Sequence, residues 1–193
     1  MRILNLYSGL GGNRKLWKNV DVTAVEYDEE IARIYHFYFP DDELIIGDAH
    51  SYLENNFKNF DFIWSSPPCQ SHSKIRMMAS KSGSYNAIMP DMNLWAEIIF
   101  LKHYSGCPYV VENVKPYYEP LVLPTQILGR HYFWSNFEIP NKDMNDGLSH
   151  NDRGKHNLGV FDLREFKTKK RKDQLIRNSV DPLIGEYILK LVS

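Results

Sequence analysis

The sequence predicts an α/β domain built on a doubly wound, mostly parallel sheet, and three observations carry that prediction. Over the first 112 residues, short β-branched or aliphatic runs alternate with amphipathic stretches, as strands and crossover helices do. A glycine-rich turn, LYSGLGG at residues 6–12, follows the first of these runs. The length of 193 residues, with 43% hydrophobic and 24% charged residues, suits one globular domain able to bury a sizeable core.

The strands are expected at RILNLY, VTAVEY, ELIIGDA, FDFIWSS and PYVVENV. Helices are expected over residues 10–18, 28–39, 50–57 and 91–105, the last with Leu94, Ile98 and Leu101 on one face. After Val114 the alternation breaks into proline-rich and polar sequence, and residues 138–172 read as a long excursion short of apolar periodicity. Helical spacing returns at 182–191, where Leu183, Ile184, Tyr187, Ile188 and Leu191 form an apolar face that can dock on the sheet. The expected organisation is a core over 1–137, the excursion over 138–172, and a C-terminal segment, 173–193, packing back on the core.

Composition excludes several classes. No run approaches the roughly 18 apolar residues of a membrane span, and the first residues lack the apolar core of a secretory signal, so a cytoplasmic setting is expected. Two cysteines are too few for a disulfide framework or a four-thiolate zinc site, and no metal is expected. The net charge of −1 hides an asymmetry: residues 1–60 hold 6 basic against 10 acidic side chains, 61–150 hold 7 against 8, and 151–193 hold 10 against 6. A polyanionic partner would meet the last segment, where Lys167, Lys169, Lys170, Arg171 and Lys172 cluster; a solvated basic face is the alternative.

Ligands of doubly wound sheets sit beyond the carboxyl ends of the strands. Those ends carry Ser8 to Gly12, Glu26, Asp48, Ser66 to Gln70, and Glu112. The turn at 8–12 lets backbone approach a nucleotide-like ligand, and Glu26, 17 residues after Gly9, can accept both hydroxyls of a ribose. The spacing is not the dinucleotide fingerprint, so a nicotinamide oxidoreductase is a weak competitor that leaves Cys69 and Glu112 unexplained. Asp48 reads either as a helix N-cap or as a ligand to an adenine amino group. Cys69 lies on a loop stiffened by Pro67 and Pro68, which suits a nucleophile, although a small buried hydrophobe is the bland alternative. Cys107 is assigned to packing. Glu112 follows apolar residues, where burial raises carboxyl pKa values toward acid chemistry, with a loop-bracing role as its alternative.

Taken in order, these motifs resemble the cytosine-5 DNA methyltransferase family. LYSGLGG is similar to its cofactor loop, VEYD to its ribose-binding acid, GDA to its adenine-side Asp, SSPPCQSHS to its catalytic Pro-Cys-Gln loop and VVENV to its Glu-Asn-Val motif. LGRHYFWSNF is similar to the motif whose arginine meets the flipped nucleotide, and RNSVDPLIGEYIL to the closing motif and final helix. The resemblance implies a Rossmann-like fold that uses S-adenosylmethionine to methylate DNA. It implies catalytic roles for Cys69, Glu112 and Arg130. Cofactor contacts fall on Tyr7, Ser8, Gly9, Gly11, Gly12, Glu26, Tyr27, Asp48, Ala49, Pro67, Asn178, Ser179 and Val180. Nucleic-acid contacts fall on Gln70, Ser71 and the basic tract from Lys167 to Lys172.

Relative to that family, residues 138–172 are a reduced target-recognition region of 35 residues, one arginine stands where two are common, and Ser-His-Ser replaces the commoner Gly-Phe-Ser after Gln70. The competing readings are RNA methylation and a catalytic-fold subunit that needs a second protein for target recognition. A phage, prophage or restriction–modification setting fits so compact a chain.

Overall fold

The computed structural model describes residues 1–142 and 161–193. Its sheet has seven strands among the described residues, in the order β3-β2-β1-β4-β5-β7-β6. They are β1 (Arg2–Leu6), β2 (Asp21–Glu26), β3 (Glu43–Ile46), β4 (Phe62–Ser65), β5 (Tyr109–Val114), β6 (Gln126–Leu128) and β7 (His131–Ser135). The first five pair in parallel, and β7 runs antiparallel to both β5 and β6. The doubly wound, mostly parallel sheet predicted from the alternation is therefore present. Its order turns at β1, which lies between β2 and β4, and that is where such sheets open a cleft beyond their strand ends.

The period-two alternation of the strands explains the layers. Leu4, Leu6, Ile63 and Val111 pack with Leu53 of α2 (Ala49–Asn56) and with Leu94, Trp95, Ile98 and Leu101 of α4 (Asn93–Tyr104). Ile3, Phe62, Trp64, Val110 and Phe133 pack on the opposite face with Ile184 and Ile188 of α6 (Pro182–Leu189). A third cluster joins Ile34 and Tyr35 of α1 (Glu29–Tyr38) to Phe161, Leu163 and Ile176, the last of these on α5 (Lys172–Asn178). The stripe Leu94, Ile98, Leu101 is buried as its spacing predicts. In α6 the buried face is narrower than expected, because Leu183 is 56% exposed while Ile184 and Ile188, one turn apart, meet the sheet.

Three local features differ from the expectations. Residues 10–18 form successive turns rather than a helix: Gly11, Lys15 and Trp17 each donate to a carbonyl three residues back, Asn13 turns its amide inward to Asn5, and Arg14 bonds the Trp17 carbonyl. Side-chain bonds of this kind compete with helical pairing. A helix α3 (Lys74–Lys81) follows the Cys69 loop. β6 and β7 arise in the segment after Val114, joined through Gly129 and Arg130. Of the expected excursion over 138–172, residues 143–160 lie outside the described residues.

Candidate active site

A cleft of about 950 Å³ opens at the strand ends. One half is made by the turn after β1 and by the ends of β2 and β3. Glu26 is the anchor there: its Oε2 accepts from the Gly9 N–H and its Oε1 from the Asp28 N–H, both at 2.9 Å. Burial raises its pKa and these backbone donors oppose the rise. Each oxygen keeps lone-pair capacity toward the cleft. The Ser8 hydroxyl lines the same half, buried and without a hydrogen-bond partner. Asp48 caps α2 by accepting from Ser51 N–H at 2.7 Å, a bond that lowers its pKa, and it also lines the cleft, so the two sequence readings are compatible.

Tyr7, Gly9, Gly12, Tyr27, Ala49, Pro67, Asn178, Ser179 and Val180 all line the cleft as well. Gly12 brings the two ends of the chain together: a Cβ there would stand 2.2 Å from the Val180 carbonyl oxygen. Gly11 is placed differently. It lies off the cleft, and a Cβ on it would stand 2.3 Å from the Phe39 ring, so its glycine serves packing against α1.

The other half is built by β4 and β5, which are neighbours in the sheet. The Ser66 hydroxyl donates to Glu112 Oε2 at 2.8 Å and in turn accepts from the Trp64 indole at 2.9 Å. His131 Nε2 lies 3.6 Å from Glu112 Oε1. Burial pushes the Glu112 carboxyl up to about 7, against the opposing pull of Ser66 and Arg130. Burial also pushes the Cys69 thiol up to about 11; the Glu112 charge adds to that and the Arg130 guanidinium opposes it. Arg130 therefore acts electrostatically on both groups, while its Nη2 donates to the Arg177 carbonyl at 3.0 Å. The arrangement offers a thiol nucleophile and a carboxylic acid close to half-protonated at neutral pH, facing one space.

Gln70 lines the cleft and is exposed. Ser71 does not line it; its hydroxyl accepts from the Asp91 N–H at 2.9 Å. Of the basic tract, only Arg171 lines the cleft. Lys170 Nζ stands 2.6 Å from Asp28 Oδ2, and the Lys169 N–H and Thr168 hydroxyl both bond Glu30. The tract is thus strapped to the start of α1 by charges some 140 residues distant, which its own sequence does not show.

The sequence reading missed a buried hub behind the cofactor half. Glu97, fully buried on α4, accepts from Tyr7 Oη at 2.5 Å and Ser65 Oγ at 2.7 Å, and meets His50 Nδ1 at 3.1 Å. Its partners come from the ends of β1 and β4 and the start of α2. A signal was present: Glu97 interrupts the apolar stripe of Leu94, Ile98 and Leu101 at a buried helical position.

The fold is an α/β core with a seven-stranded, mostly parallel sheet and a cleft at its strand ends. The C-5 cytosine-specific DNA methylase family model matches residues 1–119, and the chain belongs to that family. Among solved structures it is similar to a mutant of DNMT2 from Spodoptera frugiperda, at 25% identity over 59% of this chain and 35% of that one, with a TM-score of 0.42. It is also similar to the methyltransferase EhMeth of Entamoeba histolytica, at 19% identity over 59% and 38% of the two chains, TM-score 0.39. For TrmN from Thermus thermophilus the figures are 17% identity, 58% and 33%, and 0.38. The chain spans between 33% and 38% of the length of these three. No curated protein matches it. No helix among the described residues is long and apolar enough to cross a membrane, and no cluster of His, Cys, Asp or Glu there could hold a metal ion.

Proposed function

We propose that this chain is a DNA cytosine-5 methyltransferase that uses S-adenosylmethionine and forms a covalent bond between Cys69 and its target base. The observation that carries the reading is the placement of Cys69 and Glu112 in one cleft, where the Glu112 charge acts on the Cys69 thiol and Arg130 acts on both. The residues of the other half fit the cofactor. Glu26 has capacity for the ribose hydroxyls, the unpartnered Ser8 hydroxyl awaits a polar group, and Tyr27 offers an exposed ring beside Asp48 for an adenine. Asn178, Ser179 and Val180 would close the methionine end. When bound, the cofactor supplies an electrophilic methyl group.

The protein's part in the reaction follows from its groups. A cytosine must leave the base stack to reach the thiol. Cys69 gives up its S–H proton to water, and the thiolate sulfur bonds to carbon 6 of that cytosine while neutral Glu112 gives its proton to ring nitrogen 3 and so accommodates the displaced electron pair. Carbon 5 gains the electron density needed to accept a methyl group. A base, here water, then removes the carbon-5 proton, and as the thiolate is expelled ring nitrogen 3 returns its proton to the Glu112 carboxylate, which restores the ring. Arg130 opposes the charge penalty on both Cys69 and Glu112. Residues 1–137 are assigned to this catalytic core, 138–172 to a reduced target-recognition region and 173–193 to the segment that closes the cofactor half.

Trapping on duplex DNA containing 5-fluorocytosine tests the proposal. Fluorine cannot leave as a cation, so the methylated adduct persists and migrates as a covalent complex. The expected result is an adduct that requires S-adenosylmethionine and is lost in Cys69→Ala. An adduct formed with 5-fluorocytidine RNA and not with DNA would move the substrate to RNA. No adduct with either would sink the mechanism.

A further inference from the structure

Two arginines flank the ends of α5, Arg171 at its N-cap and Arg177 in its last turn. The lysines Lys167, Lys169, Lys170 and Lys172 are absent from the cleft lining, whereas Arg171 and Arg177 both belong to it. Arg171 Nη2 lies 2.9 Å from Asp173 Oδ2, and Arg177 Nη2 bonds the same oxygen. One carboxylate thus holds two guanidiniums, and the trio keeps a net positive charge. Both arginines remain open to solvent, with side chains 68% and 47% exposed.

Exposed ion pairs contribute little to stability, so the sharing of Asp173 orients the two forks more than it stabilises the fold. Each guanidinium has five N–H donors, more than Asp173 can satisfy, and a planar fork matches two oxygens of a phosphate. The end of α5 is also fixed relative to the nucleophile. The Arg177 carbonyl accepts from Arg130, whose charge is felt at Cys69. The Arg76 guanidinium, also in the cleft lining, lies 4.2 Å from the centre of the Tyr85 ring, and Tyr85 is near enough to Arg171 to act on it electrostatically. Arg76, Arg171 and Arg177 therefore line one cleft.

We propose that Arg171 and Arg177 form a phosphodiester-binding pair that receives the nucleic-acid backbone beside the nucleotide entering the Cys69 cleft. The proposal rests on the reading of nucleic acid as substrate. It keeps Arg171 of the expected basic tract, adds Arg177, and rests on a pair whose geometry is set by Asp173 and Arg130.

The test is the salt dependence of binding, which a merely structural role would not move. A fluorescein-labelled duplex DNA and a single-stranded RNA of the same sequence are titrated by anisotropy from 50 to 200 mM KCl with wild type, R177Q and R171Q/R177Q. Each phosphate contact contributes about 0.9 to the slope of log affinity against log salt on duplex DNA and about 0.7 on single strands. The double variant should lose about 1.8 of slope on DNA, so that wild type falls about 12-fold further than the variant over that salt range. R164Q, whose arginine pairs with Asp162 outside the cleft, should keep the wild-type slope. Calorimetric affinity for S-adenosylmethionine and the thermal midpoint of R171Q/R177Q should match wild type.

An unchanged slope in the double variant overturns the proposal. So does weakened cofactor binding with an unchanged slope, which would assign the pair to the cofactor's carboxylate. A slope loss on RNA and not on DNA supports the pair and overturns the DNA reading alone. Wild type that binds neither polymer overturns both.

Discussion

The side-chain amide of Asn113 donates to the Pro67 carbonyl at 2.8 Å, tying β5 to the loop two residues before Cys69. Pro67 and Pro68 have no N–H of their own, so this loop depends on outside donors for its position. Its companion contacts are the His72 N–H to the Cys69 carbonyl at 3.1 Å and the Tyr117 N–H to the His72 carbonyl at 3.0 Å. Cys69 is held by the strand that carries Glu112, which fixes the two groups relative to each other.

Asn113→Ala should therefore misplace Cys69 while leaving Glu26, Asp48 and the turn after β1 in place. Displacement of a reacting group by about 1 Å can cost on the order of 10²-fold in rate. The expected outcome is a fall of that order in kcat with calorimetric affinity for S-adenosylmethionine unchanged, and a stability loss of about 1–3 kcal/mol from the unsatisfied Pro67 carbonyl. Wild-type turnover in the variant would remove the tether from the account.

Cys69 and Glu112 should report on each other chemically. At pH 7 a thiol of pKa about 11 is ionised to only about 1 part in 10⁴. Removing the Glu112 charge in Glu112→Gln should lower the thiol pKa and speed alkylation by iodoacetamide at pH 8 and above. The rate is measured in a Cys107→Ser background so that one thiol reports. Equal pH profiles with and without Glu112 would contradict the coupling.

Glu112 also sets a pH dependence of stability. Its folded pKa of about 7 lies above the ordinary value of 4.5, so between these the folded chain holds a proton that the unfolded chain has released. Stability from this group is complete below about pH 4.5 and is lost as pH rises toward 7 and beyond, by at most about 3 kcal/mol. Urea unfolding at pH 4.5 and pH 8 should show wild type losing that much relative to Glu112→Gln. A difference independent of pH would count against it.

Glu97 should act on the cofactor half alone. Tyr7 adopts a φ of +55°, rare for a residue with a side chain, and its phenol is held by Glu97. Glu97→Gln loses acceptor capacity for at least one of its three partners. We expect weaker binding of S-adenosylmethionine, by about tenfold, with a stability cost of about 1–3 kcal/mol. Tyr7→Phe should show the same direction with a smaller effect. Calorimetry and thermal unfolding separate the two contributions; unchanged cofactor affinity in both variants would reduce Glu97 to a packing role.

Much of this was legible because the information is local. The five parallel strands follow from apolar runs of four to six residues, and Glu26, Asp48, Cys69 and Glu112 fall at their ends in contiguous motifs. β6 and β7 were not legible. They are three and five residues long in proline-rich sequence, and their pairing with β5 supplies a context that their own pattern lacks. The expected helix over 10–18 failed for a related reason: helical spacing cannot anticipate side chains that bond backbone within the turn or Asn5 across it.

By itself, the sequence determined the sheet, the order of its parallel strands along the chain, and the residue types at the cleft, since each depends on periodicity or on a few adjacent positions. Only the tertiary structure decided which of those residues share a space and which cations face it. Glu97 gathers three strand and helix ends, Gly11 is spent on packing, and Asp28 and Glu30 tie Lys170 and the Lys169 backbone to the start of α1 while Arg171 and Arg177 line the cleft. Charges and carboxylates act through distance in space, and a chain that folds across 140 residues sets those distances by packing rather than by spacing.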